Sequence, residues 1–146
     1  MRLSCISPAY AVVMARYAID ARALLRLVDD ELIPDPAHQL VAPKSVLVDG
    51  LELLLGEVRA GRRDERAALR SHTRMTETRI RLLGDRVSRR TAWDLTVAHG
   101  WATVREAEYV AVATLQADAL VAGDPDIASR ASGIVELASL EDLVAT

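Results

Sequence analysis

Apolar residues in this chain come in short unbroken runs rather than alternating with polar ones, and several runs stop abruptly at an acid or a glycine. The first clear run, residues 16–19, reads as a strand closed by Asp20. Residues 21–30 predict a helix, because Ala23, Leu24, Leu27 and Val28 recur at the spacing of one helical side. Ile33-Pro34-Asp35-Pro36 predicts a loop, since two prolines cannot sit inside a helix or a central strand. A second helix is expected from Pro43, favourable in a first turn, to Ala60 before Gly61. Gly50 and Gly56 each weaken it by roughly 1 kcal/mol relative to alanine, so packing must hold it. A charged helix over 64–77, a short strand over 80–83 and a helix over 87–98 follow. Thr103-Val104-Arg105-Glu106 has the capping-box spacing and opens a helix expected over 103–117, with Val110, Ala113, Thr114 and Ala117 on one side. Residues 119–122 read as a strand ending at Gly123-Asp124, 134–137 as a last strand and 140–144 as a last helical turn.

Strands thus alternate with helices, and the strands are apolar throughout. That pattern predicts an α/β fold, a three-layer α-β-α sandwich around a short central parallel sheet covered on both faces. The 146 residues suit one domain. The expected organisation is an N-terminal extension over 1–13 and a single domain over 14–146, with Met14 just ahead of the first strand. Residues 3–15 faintly resemble a signal-peptide core, but Ser4, Ser7 and Pro8 interrupt them and no cleavage pattern precedes the strand, so targeting is rejected.

Composition narrows this picture. Half the residues are hydrophobic yet phenylalanine is absent, so the core must be built from Ala, Leu, Val and Ile. A net charge of −3 excludes a polycation that binds nucleic acid through overall charge. The lone Cys5 excludes an internal disulfide and a cysteine zinc site, and points to a cytoplasmic protein. No stretch approaches the roughly 20 apolar residues of a membrane span.

Four acids then stand out. Asp20 and Asp124 end apolar strands, whereas Asp49 and Glu106 lie on otherwise apolar helices. Buried unpaired carboxylates are costly, so acids converging from distant segments usually hold a cation. Ligands of an open parallel sheet bind at the carboxyl ends of its strands, where Asp20 and Asp124 would lie. An all-oxygen site suits Mg²⁺ or Mn²⁺ and hydrolysis of phosphodiesters. Each acid also has an ordinary role open to it. Asp20 could cap the following helix, Glu106 could close the capping box on Thr103, Asp124 could form a turn or cap before Pro125, and Asp49 could reach solvent.

Taken together, the segments resemble a PIN domain, specifically the VapC toxins of bacterial toxin–antitoxin pairs. Tyr17-Ala18-Ile19-Asp20-Ala21 resembles the family's opening strand and first metal acid. Ala42-Pro43 followed by Asp49 is similar to its second motif, where the family usually has Glu. Glu106-Ala107-Glu108-Tyr109-Val110-Ala111-Val112-Ala113 is similar to the third, where it usually has Asp. Ala117-Asp118-Ala119-Leu120-Val121-Ala122-Gly123-Asp124 resembles the fourth strand and its terminal acid, and the runs 80–83 and 92–95 also look family-like. The resemblance implies a Mg²⁺- or Mn²⁺-dependent endoribonuclease with Asp20, Asp49, Glu106 and Asp124 as catalytic metal ligands, a homodimer, an RNA substrate and a VapB-type antitoxin partner. Two departures stand beside it. Arg22 and Ala122 replace hydroxyl residues of the family, and Arg22 could pair with an acid in competition with metal. A catalytically silent RNA-binding or protein-interaction module on the same fold is the alternative reading.

Arginines crowd residues 59–90, and Arg62, Arg66, Arg70 and Arg74 recur every fourth position. They are candidate contacts to RNA phosphates, or simply a solvated helix side. His38, His72 and His99 show no ligand pairing and read as surface or structural. Trp93 and Trp101 could stack on bases, although core packing is the expected role. The apolar side of the second helix, with Leu51, Leu54, Leu55 and Val58, is expected to be buried in the core, with dimer or antitoxin contact the alternative.

Overall fold

A computed structural model describes residues 15–144; the extension over 1–13, Cys5 and Met14 lie outside the described residues. Five strands, β1 (Arg16–Ile19), β2 (Gln39–Pro43), β3 (Arg81–Leu83), β4 (Ala119–Val121) and β5 (Leu137–Ala138), form one parallel sheet in the order β3-β2-β1-β4-β5. Among the described residues seven helices surround it: α1 (Ala21–Asp29), α2 (Val46–Arg59), α3 (Glu65–Glu77), α4 (Arg86–His99), α5 (Ala107–Gln116), α6 (Pro125–Ala131) and α7 (Leu140–Leu143). Helices α1, α2 and α3 pack together, and α5 lies across β1, β2 and β4 between α4 and α6. The expected three-layer α-β-α sandwich is therefore present. Among the described residues no helix is long and apolar enough to cross a membrane.

The winding decides where the site sits. The chain proceeds from β1 through β2 to β3 on one side, then returns to build β4 and β5 on the other. The connections therefore diverge between β1 and β4, and such a switch point opens a crevice at the carboxyl ends of the strands. Aspartates start the helices that leave these ends and neighbouring turns. Asp20, Asp64, Asp85 and Asp124 each accept a backbone N–H in the first turn of α1, α3, α4 and α6. Gly100, in the left-handed region at φ 67°, closes α4.

Leucine, valine and alanine fill the core as the composition required: Ile19, Leu24, Leu27, Leu54, Leu120 and Leu143 are fully buried. Ala92 meets Ala107 and Ala111 in a second small cluster, and these short side chains let α4 and α5 approach closely. Away from the strand ends, Arg63 ties three helices together. Its guanidinium binds Asp29 in α1 at 2.7 Å and Glu57 in α2 at 2.8 Å, while Ser71 in α3 bonds to both Arg63 and Asp29. Burial pushes the Asp29 carboxyl up, but the bonds from Arg63 and Ser71 outweigh it and hold it below its usual range.

Several expectations need correction. Residues 39–43 form β2, and the helix expected from Pro43 begins only at Val46. Leu40-Val41-Ala42 is a short strand hidden between prolines, with Pro43 at its last position. The helix expected from Thr103 begins at Ala107, and the capping box does not form. Thr103 Oγ1 instead accepts the N–H of Arg105, a local turn that competes with helix. Residues 125–131, which the sequence reading leaves unassigned, form α6 with Asp124 as its cap, and the last strand occupies Leu137–Ala138 rather than 134–137. Trp93 is 58% exposed rather than packed in the core, and Leu51 and Leu55 are about 40% exposed beside buried Leu54.

Leu120 and Leu137 are register partners on adjacent strands, yet Leu120 is fully buried and Leu137 is 44% exposed. Leu120→Ala is expected to cost about 2–5 kcal/mol and Leu137→Ala less than about 1 kcal/mol in urea unfolding. Equal costs would contradict this account of the core.

Candidate metal centre

Asp20, Asp49, Glu106 and Asp124 all line one cleft of about 270 Å³, together with Arg22, Glu52, Thr103, Arg105 and Tyr109. Asp20 follows β1 and Asp124 follows β4, so the cleft occupies the switch point. Asp49 and Glu52 project from α2 one turn apart, and Glu106 is the residue before α5.

Asp20 lies at the bottom, fully buried. Its Oδ1 accepts the N–H of Ala23 at 2.8 Å and of Gly123 at 2.9 Å, and its Oδ2 accepts the N–H of Asp124 at 2.9 Å. The cap at α1, the ordinary alternative for Asp20, is thus present, and the same carboxylate also fixes the turn from β4 to α6. Burial pushes its carboxyl above the usual range even though the three N–H groups pull it back. Gly123 permits this contact. A Cβ there would sit 2.7 Å from the backbone nitrogen of Ala23, so any side chain would force β4 and α1 apart.

The other three acids are engaged differently. Asp49 Oδ2 accepts the Tyr109 hydroxyl at 2.6 Å, and its Oδ1 accepts Arg105 Nη2 at 2.6 Å. Burial, and then the Asp49 carboxylate, hold the Tyr109 phenol far above its usual range, so it stays a donor. Glu106 Oε1 forms an ion pair with Arg130 Nη1, a buried nitrogen that makes no well-angled hydrogen bond. Arg130 also lies over the Trp101 ring, which stacks on His99 at 5.0 Å. Asp124 caps α6 by accepting the N–H of Asp126 at 2.8 Å.

Oxygens of Glu106, Asp124 and Asp126 converge, all lying within 4.8 Å of one another. Three carboxylates at that spacing suit a hard cation such as Mg²⁺ or Mn²⁺, which favours oxygen ligands. A metal ion therefore fits these residues. Asp49 reaches the same cleft with its oxygens turned to Arg105 and Tyr109, and Asp20 lines it with both oxygens bonded to backbone N–H groups.

Asp126, Glu52, Tyr109, Arg105 and Arg130 were not singled out in the sequence. Asp126 was the most accessible of them, because Asp124-Pro125-Asp126 places two acids at one helix start. Glu52 lies three residues after Asp49, and Tyr109 three after Glu106, the spacing that brings helical neighbours together. The pairing with an acid expected at Arg22 falls elsewhere. Arg22 lines the cleft without an ion pair among the described residues, and Arg105 and Arg130 hold the acids instead.

The candidate RNA contacts lie apart from this cluster. Arg66, Arg70 and Arg74 are exposed on α3, whereas Arg62 precedes the helix. Arg74 comes within 3.9 Å of Glu31, just beyond the last turn of α1, while Asp20 caps the first turn of the same helix. His38 and His72 bond to backbone carbonyls of Leu143 and Leu47, as their structural reading requires.

No known family's sequence profile matches the chain, and no curated protein matches it. Among solved structures it is similar to PAE2754 from Pyrobaculum aerophilum, with a TM-score of 0.63 and 23% identity over 85% of this chain and 90% of that one. That likeness concerns the fold.

The raised Asp20 carboxyl has a defined sign in stability. The folded protein binds this proton more tightly than the unfolded chain, so the group's contribution falls as pH rises above the ordinary aspartate value of 3.8. With metal removed by chelation, the wild type should lose stability relative to Asp20→Asn as pH increases through that range, read from urea midpoints of both proteins. The opposite slope would mean that the three N–H bonds outweigh burial.

Proposed function

We propose that the protein is a metal-dependent endoribonuclease of the PIN-domain, VapC-like kind. The observation that carries this reading is the convergence of acids from four distant segments on one cleft at the switch point of a parallel sheet. Glu106, Asp124 and Asp126 would hold the cation, with Asp49 completing the set from the facing helix. A bound Mg²⁺ or Mn²⁺ supplies an activated water and neutralises charge developing on the phosphate oxygens. Asp20 contributes by fixing the backbone of Gly123 and Asp124, which aims the Asp124 carboxylate. Tyr109 orients Asp49 through its hydroxyl.

The same reading assigns the protein a toxin role, a VapB-type antitoxin partner and a homodimer. Val48, Leu51 and Leu55 support a protein contact, because they leave an apolar stripe exposed on α2. Arg66, Arg70 and Arg74 remain candidates for contacts to outlying RNA phosphates.

One observation favours the catalytically silent alternative. Arg105 and Arg130 already neutralise Asp49 and Glu106, as a module that has lost its metal would allow. Calorimetry separates the two. The nuclease reading expects Mn²⁺ binding and Mn²⁺-dependent cleavage of single-stranded RNA. Removing a residue that merely supports a metal ligand typically costs 10–100-fold, so Asp124→Asn and Glu106→Gln should each lower Mn²⁺ affinity by about 100-fold or more. A wild-type protein that takes up no Mn²⁺ would establish the silent module.

A further inference from the structure

Two arginines hold acids of the cleft, and they are held in opposite ways. The Arg130 side chain is only 21% exposed, its Nη1 is buried, and Trp101 covers its guanidinium. Removing that arginine from Glu106 would leave a buried charge without a partner, which is strongly unfavourable. The Arg105 side chain is 70% exposed and holds Asp49 through a single nitrogen. An ion pair so open to water is weak and easily exchanged.

We infer that Arg105 is a latch that competes with the divalent cation for Asp49 and, once displaced, binds an RNA phosphate at the rim of the cleft. This rests on the metal-dependent nuclease reading and deepens it. The division of Asp49 supports the exchange. Tyr109 holds Oδ2 from its buried position in α5, so departure of Arg105 frees Oδ1 alone while the carboxylate keeps its orientation. The released guanidinium stays tethered immediately before Glu106, at the mouth of a cleft that, among the described residues, is lined by five carboxylates and one other arginine, with Arg130 paired to Glu106 from outside the lining. Acids in that ratio repel a phosphodiester, and a planar guanidinium offers paired donors that match phosphate oxygens. Arg105 therefore guards the acids without metal and offsets their charge toward substrate with it.

Mn²⁺ titration of the wild type, Arg105→Ala and Arg105→Lys tests the latch without recourse to activity. Arg105→Ala should bind Mn²⁺ roughly two- to fivefold more tightly, the factor expected for loss of an exposed ion pair. Arg105→Lys should return toward the wild type, because it restores the competing charge. In Mn²⁺, binding of a short single-stranded RNA with a cleavage-resistant phosphorothioate backbone should weaken in Arg105→Ala. Its slope of log affinity against log salt should shrink by about 0.7, the value of one phosphate contact. Mn²⁺ affinity that is unchanged or lower in Arg105→Ala, with wild-type binding intact, overturns the latch and leaves the metal reading standing. Unchanged RNA affinity overturns the second half of the exchange. Absence of Mn²⁺ binding in all three proteins overturns both the latch and the metal reading.

Discussion

The carboxylate of Asp20 accepts three backbone N–H groups from two places far apart in the chain, and the candidate site depends on it. One bond caps α1; the other two gather the turn that joins β4 to α6. A buried carboxylate is tolerable only when its lone pairs are satisfied, and here the satisfying groups are main-chain donors that side-chain motion cannot withdraw. The two strands flanking the switch point are thereby joined at their carboxyl ends as well as along their ladder. Asp124 begins α6 from a fixed position, so its oxygens meet those of Glu106 and Asp126.

Charge around this anchor is balanced unevenly. The cleft gathers acids that would repel one another, and the chain answers with guanidinium groups of different permanence. The Trp101-covered Arg130 makes its partner Glu106 a fixed element, whereas solvent surrounds Arg105. Arg63 performs the corresponding task at the far ends of α1 and α2, where partly buried Asp29 and Glu57 share one cation. Helices α1 and α2 are therefore tied through an arginine at one end and border the acid cleft at the other.

Much of this was legible in the sequence, and the limits have physical causes. Apolar runs ending in Asp20 and Asp124 identified both the parallel sheet and the crevice, since period and strand ends are local properties. β2 was lost because three apolar residues between prolines carry too little periodicity to separate a strand from a helix start. Both halves of the Glu106 capping box are taken by other partners: the Thr103 hydroxyl accepts the N–H of Arg105, and Arg130, brought near by α6, offers the Glu106 carboxylate a charged partner in place of a backbone N–H. Arg105 and Tyr109 carry no signal in the sequence, because their importance lies in contact with Asp49, more than fifty residues away, which no spacing rule reveals. Only the family resemblance joins Asp49 and Glu106 to the other two acids in the sequence; the four line one cleft, but the oxygens that converge are those of Glu106, Asp124 and Asp126.

The chain holds only two tryptophans, and the fold gives them contrasting surroundings. Trp93 is largely exposed on α4, while Trp101 stacks on the His99 ring and also meets the guanidinium that grips Glu106. Indole emission is sensitive to neighbouring charge and to ring stacking. The molecule thus carries its own optical probe beside the Glu106–Arg130 pair, with a second, more exposed indole as a reference, and needs no attached dye to report that Arg130 has moved.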